Sequence, residues 1–288
     1  MKRITLLPLS LFLCNALFLN ASTSSDLNPN EEITCPLEGY QLVWSDEFNT
    51  SVIDNTKWMF QEAHAGWVNH ELQTYVKEQS PQGKKVAECS NGTLKIHCFR
   101  EGDKIYSGRM YGNRNVGFKY GYIEASIKLP KGKGTWPAWW MMPVSNGRWP
   151  GCGEIDIMEE VGVDANEVSS SIHCQAYNHP NKTQKTHAMT CEGAEDGFHV
   201  YALEWTADYI RTYVDGKEQL YFENDGKGNN DTWPFNKAFY PILNVAWGGD
   251  WGGYKGVDET ALPVTMEVDY VRVWEKKKRV RRAHLTLF

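Results

Sequence analysis

Long amphipathic helical patterns are missing from this 288-residue sequence. No stretch of twelve or more residues keeps apolar positions at helical spacing, which counts against helical bundles and against α/β folds with crossover helices. No internal repeat, low-complexity block or interior linker divides the chain, so a solenoid or a string of modules is excluded. No CxxC pair and no His/Cys cluster stands at zinc spacing, which argues against a metal–thiolate centre. The longest apolar run, "ITLLPLSLFLCNALFL", is interrupted by a proline and is short for a membrane span. Positive charge is scarce outside the two ends. The net charge is −6, yet the run from Lys276 holds six cationic side chains and Lys2 and Arg3 add two. Without those eight the body carries −14. Such a body repels polyanions, which counts against nucleic acid and heavily sulfated polysaccharide as partners.

The two ends read as separate from the fold. "MKR", the apolar run and the small residues "NAST" form a secretory signal over residues 1–21, with cleavage near Ala21. Residues 22–38 are a flexible leader, and 276–288 are a basic, solvated tail. A secreted or extracytoplasmic protein is therefore expected. Six cysteines remain after cleavage, an even number that suits disulfides. Cys174 and Cys191 flank one polar loop and are the expected bridge. Between the ends, residues 39–275 make one domain of short strands. "YGYIEASIKL" (120–129) alternates apolar and polar positions, and "YIRTYVDGKEQLYF" (209–222) is a hairpin turning at Asp215-Gly216. "GTLKIHC" (92–98) and "MEVDYVRVW" (266–274) are further strands. The fold class is all-β, a β-sandwich or jelly roll.

Aromatic residues are abundant: 12 Trp, 14 Tyr and 11 Phe. "TWPAWW" (135–140) and "NVAWGGDWGG" (244–253) set Trp among Gly, Pro and Asp, poor company for a core. Indole faces stack on the C–H faces of sugar rings, so an acidic, Trp-rich cleft suits a neutral polysaccharide.

The most unusual segment is "GEIDIMEEVG" (153–162), which holds Glu154, Asp156, Glu159 and Glu160. So many like charges in a strand-like segment call for a bound cation, acid/base chemistry or a solvated edge. As a strand, Glu154 and Asp156 share one face and Ile155 and Ile157 the other. Strict alternation would then turn Glu159 into the core. A β-bulge at Met158 resets the phase and returns Glu159 to the acidic face. Retaining glycoside hydrolysis uses two carboxyls about 5–5.5 Å apart. Four strand positions span about 13 Å, so the two glutamates must lean together. A carboxylate between them, Asp156, separates their pKa values and hence their roles.

This segment resembles the ExDxxE signature of glycoside hydrolase family 16, in the bulged form of its laminarinase-like branch. "WSDEFN" (44–49), "NHELQTY" (69–75), "SGRM" (107–110), "YGYIEASIKLPKGKGTWPAWWMMP" (120–143), "SSIH" (170–173) and "DYVRVWE" (269–275) resemble further landmarks of that family, in its order. The resemblance implies a jelly-roll sandwich with a glycan cleft on its concave face and a double-displacement mechanism without a catalytic cofactor. It implies Glu154 as nucleophile, Asp156 as assisting carboxylate and Glu159 as general acid/base. Asn69, Glu71, Arg109, Trp136, Trp140 and His173 match cleft positions. A structural calcium on the convex side is implied at Asp269, with help near Glu47 and Gly92. The sequence departs from the family pattern at Trp247, where a small aliphatic residue is usual, and in the long polar stretch after His173. Trp247 is expected on the cleft wall, and Asp250 as an acceptor for sugar hydroxyls.

The expected function is a monomeric endo-acting β-glucanase for β-1,3 or mixed β-1,3/1,4 glucan. Two alternatives stay open: an endo-β-galactosidase or agarase, and a non-catalytic glucan-recognition protein on the same sandwich.

Overall fold

The computed structural model describes residues 33–113 and 116–277. The secretory signal, most of the leader and all but the first two residues of the basic tail lie outside the described residues. Among the described residues, seventeen strands follow one another. They are β1 Tyr40–Asp46, β2 Trp58–Phe60, β3 Gln73–Tyr75, β4 Ala87–Ser90, β5 Thr93–Glu101 and β6 Lys104–Ser107. Next come β7 Arg109–Gly112, β8 Gly121–Lys128, β9 Thr135–Pro143, β10 Glu154–Glu159, β11 Glu167–His173 and β12 Lys185–Thr190. The last are β13 His199–Trp205, β14 Tyr209–Val214, β15 Lys217–Glu223, β16 Phe239–Trp247 and β17 Val264–Lys276. One four-residue turn of α-helix, Gly249–Gly252, follows β16.

These strands form two sheets. The first has ten strands, in the order β15-β14-β13-β8-β17-β5-β6-β3, with β1 beside β17 and β4 beside β5. The second has seven, in the order β12-β11-β10-β9-β16-β7-β2. All pairs are antiparallel except β3 with β6. Sequential neighbours are often apart in space, with β9 between β10 and β16, as a jelly-roll sandwich requires. The expected hairpin forms: Asp215 (φ 49°) and Gly216 (φ 75°) both take the left-handed conformation that a tight two-residue turn needs.

The core lies between the sheets and draws on both. From the ten-stranded sheet come Ile123, Ala125, Ile127, Leu203, Val271 and Val273; from the seven-stranded sheet come Trp139, Met141, Ile155, Ile157, Leu243 and Val245. The alternation that buries these residues sends their neighbours outward, and on the seven-stranded sheet that outward face carries the chemistry.

Two expectations fail here. Trp247 belongs to the core and is fully buried, not on the cleft wall. It keeps step with Leu243 and Val245 along β16, whereas Asn244 takes the opposite phase. The expected Cys174–Cys191 bridge is also absent, and all six described cysteines are free thiols. Cys174 lies beyond the Ile172↔Lys185 end of the β11–β12 ladder and Cys191 beyond the Glu167↔Thr190 end. Five strand steps, about 17 Å, separate those ends, whereas bridged α-carbons stand about 5.5–6 Å apart.

Candidate active site

The bulge expected near Met158 is present in β10. Against β9, Asp156 faces Trp140 but Met158 already faces Trp139, so one extra residue is accommodated between them. Against β11, Asp156 pairs with Ser171 and Glu159 with Ser169. Ile157 and Met158 consequently both enter the core, fully buried, and Glu159 returns to the face of Glu154 and Asp156. Glu154 and Glu159 are half-buried and Asp156 is buried. The fourth carboxylate, Glu160, is fully buried and accepts a hydrogen bond from the Asn166 amide at 2.7 Å.

Each catalytic candidate has a defined partner. His173 stands opposite Glu154 on β11, with Nε2 3.3 Å from Asp156 Oδ2 and 4.0 Å from Glu154 Oε1. Trp136 Nε1 donates to Glu159 Oε1 at 3.0 Å. Ala138, between Trp136 and Trp140 on β9, faces Glu159 and leaves room beside it. Burial pushes all three carboxyls well above the usual range. For Glu154, burial is joined by repulsion from Asp156 and opposed by His173 and Arg109. For Glu159, burial and Asp156 act the same way, and the Trp136 hydrogen bond opposes them. His173 lowers both glutamates; Arg109 acts on Glu154 in addition, and the Trp136 hydrogen bond on Glu159.

The remaining expected residues gather at the same face. Arg109, on β7, lies 4.6 Å from the Trp140 ring centre and 5.2 Å from that of Trp67. Trp140 Nε1 donates to Asn244 Oδ1 at 2.8 Å, and Asn244 Nδ2 donates to the Tyr75 hydroxyl at 3.2 Å. Glu71 accepts from Gln73 at 2.7 Å and from Asn69 at 3.3 Å. Burial raises the Glu71 carboxyl, while Gln73 and Arg109 pull it back. Asp250 is exposed and sits 2.8 Å from His70 Nδ1. Its amide donates to the Asn69 carbonyl at 2.8 Å, and the Leu72 amide donates to the Trp247 carbonyl at 2.9 Å. Gly249 permits this close approach, since a Cβ there would fall 2.6 Å from the Asn69 carbonyl oxygen.

Sequence reasoning missed several members. Trp149 and His179 pack beside His173, with ring centres 5.9 and 5.5 Å from it. Trp251 meets the edge of Trp136 at 5.5 Å. Gln73, Tyr75 and Asn244 hold Glu71 and Trp140. The alternation of Glu71, Gln73 and Tyr75 was a signal for the first two; Asn244 had none, its tyrosine partner being 169 positions away.

At the implied calcium position, the Glu47 carboxylate is taken by Arg272, at 3.1 and 2.7 Å. Asp269 is half-buried; burial raises its carboxyl, Arg272 lowers it and Glu47 raises it further. The Glu47 carboxylate is thus engaged with Arg272, and the Asp269 carboxyl remains a hard oxygen donor of the kind calcium takes.

The family model described as Glycosyl hydrolases family 16 matches residues 77–272. A β-glucanase of Rhodothermus marinus is 40% identical over 247 residues, covering 82% of this chain and 85% of its own. The crystal structure of a mutant of SCLam, a non-specific endo-β-1,3(4)-glucanase presenting 1,3-β-D-cellobiosyl-glucose at its active site, superposes with a TM-score of 0.80 at 42% identity. That match covers 85% of this chain and 98% of the other. A keratan-sulfate endo-1,4-β-galactosidase of Sphingobacterium multivorum is 32% identical over 243 residues, 82% of this chain and 55% of that protein.

Proposed function

This chain belongs to glycosyl hydrolase family 16 and is a glycoside hydrolase of the β-glucanase type, and from that premise we propose an endo-acting, retaining enzyme that cleaves β-1,3 or mixed β-1,3/1,4 glucan. The observation that carries the proposal is the β10 bulge, which sets Glu154 and Glu159 on one face with Asp156 between them. Glu154, as its carboxylate, attacks the anomeric carbon while Glu159 protonates the departing glycosidic oxygen. A covalent glycosyl–enzyme forms, and the leaving sugar takes the proton. Glu159, now a carboxylate, then removes a proton from water; the water attacks the same carbon, and Glu154 is released with the β configuration restored. Asp156 Oδ2, 3.3 Å from His173 Nε2, lies between the two glutamates on the same face.

Proton NMR during hydrolysis of laminarin, lichenan and barley glucan tests the proposal, with agarose and keratan as controls for a galactose-specific site. The β anomer should appear first on a glucan. First appearance of the α anomer, or turnover of agarose or keratan alone, refutes it.

Export rests on the N-terminal segment of residues 1–21. Among the described residues no helix is long and apolar enough to cross a membrane. Calcium at Asp269, with help near Glu47 and Gly92, would supply stability and take no part in the chemistry. Chelation should lower Tm without changing specific activity at low temperature.

A further inference from the structure

Away from the catalytic face, the fold brings together Cys191, His199 and Asp215, three residues whose spacing matches no metal motif. Cys191 follows β12, the edge strand of the seven-stranded sheet. Its amide donates to the Asn166 carbonyl at 2.7 Å, and its carbonyl accepts from Ala194 at 3.1 Å, which closes a turn around Gly193. His199 opens β13 and Asp215 sits in the β14–β15 turn, both in the ten-stranded sheet. Asp215 accepts from the Val200 amide at 2.8 Å, and its other oxygen lies 2.7 Å from His199 Nδ1. The Cys191 sulfur, a ring nitrogen of His199 and a carboxylate oxygen of Asp215 all lie within 4.8 Å of one another.

We propose that Cys191, His199 and Asp215 form a second, non-catalytic site for a borderline-soft divalent cation such as Zn²⁺, which clips the edge of one sheet to the other. The donor set decides the class of ion. Thiolate, imidazole and carboxylate together suit zinc, whereas calcium and magnesium take oxygen alone. Zinc–donor lengths of about 2.0–2.3 Å place tetrahedral ligands roughly 3.3–3.7 Å apart. The wider pairs must therefore close in by at most about 1.5 Å, and the His199–Asp215 pair must open from 2.7 Å. Cys191 and Asp215 belong to turns and His199 to the first position of a strand, where such a shift is least resisted. A His–Asp pair alone would be an ordinary ion pair bracing a hairpin. The thiol makes the difference: its sulfur faces His199 and Asp215, with the Tyr201 hydroxyl 3.9 Å away.

Binding of a divalent ion to thiol and imidazole donors displaces protons, so affinity should rise with pH. Asp215 is exposed, which gives the ion a way in and water a fourth position. Because the ligands come from the ends of both sheets, the site does the work of a cross-link in a chain whose described cysteines form none.

The test uses reduced, metal-free enzyme titrated with Co²⁺ and with Zn²⁺. Co²⁺ should give a near-ultraviolet thiolate charge-transfer band that saturates at one ion per chain and is displaced by Zn²⁺. Zn²⁺ should raise Tm. Cys191→Ser should abolish the band and the rise in Tm while hydrolysing glucan at the wild-type rate, which also shows that it folds. Asp215→Asn keeps the turn and should weaken binding at least tenfold. A band that survives Cys191→Ser, or no band at all, overturns the proposal. Zinc held only by Glu154, Asp156 and His173, the other described group able to take an ion, also overturns it. That binding would inhibit hydrolysis in wild type and Cys191→Ser alike, with no thiolate band.

Discussion

Replacing Trp136 by Phe removes one hydrogen bond from the acid/base and leaves an aromatic ring in place. The indole N–H donates to Glu159 Oε1 at 3.0 Å and favours the ionised carboxyl, so its loss raises the Glu159 pKa. A hydrogen bond to a charged group contributes about 1.5–3 kcal/mol. Trp136 is half-buried, so water will replace part of that, and the lower figure applies. At 1.36 kcal/mol per pKa unit, 1.5 kcal/mol corresponds to a shift of about one unit. Glu159 must be protonated to start the reaction, so the alkaline limb of kcat/KM against pH should move up by about one unit. The acidic limb, set by Glu154, should move much less. Trp140→Phe is the control, since its N–H serves Asn244 and not the acid. Profiles on soluble β-glucan from about pH 4 to 10 decide the matter. An alkaline limb that stays in place or moves down refutes the assignment of Trp136 and Glu159.

Three further outcomes follow from the packing and the buried charges. Trp247→Ala should cost about 3–5 kcal/mol of stability, read by denaturant unfolding, with no change in sugar preference, because this indole is fully buried. Asp156→Asn should stabilise the protein, and the gain should grow between pH 4 and 8. Over that range the folded state, with Asp156 raised from 3.8 to about 8 by burial, holds a proton that the unfolded chain has lost. Stability therefore falls as pH rises, until the carboxyl is removed; a gain independent of pH would contradict this. Cys174 and Cys191 should each be alkylated after unfolding without reductant, and a peptide cross-linked between them would contradict the β11–β12 register.

Much of the fold and the centre of the site were legible because strong local patterns carried them. Alternation located the hairpin at Asp215-Gly216, and the cost of burying Glu159 pointed to the bulge. Trp247 was misplaced because its Gly- and Asp-rich company was weighed above its phase. Counting in twos from Leu243 and Val245 sets it inside. Cys174 and Cys191 looked close because they flank one loop and one strand, yet Cys174 stands at the loop end of the β11–β12 ladder and Cys191 at its open end. The His179–Trp149–His173 cluster and the Tyr75–Asn244 link join distant segments, and no local pattern announces such pairs.

The central claim is the division of labour between Glu154 and Glu159, and azide separates the two roles in one measurement. With an aryl β-glucoside oligomer bearing an activated leaving group, Glu159→Ala still forms the glycosyl–enzyme, and azide then attacks from the opposite face to give the β-azide. In Glu154→Ala, azide replaces the nucleophile in a single inversion and gives the α-azide. The account predicts opposite anomers from the two variants, each assigned by NMR. The same anomer from both, or rescue to the α-azide in Glu159→Ala, would contradict it.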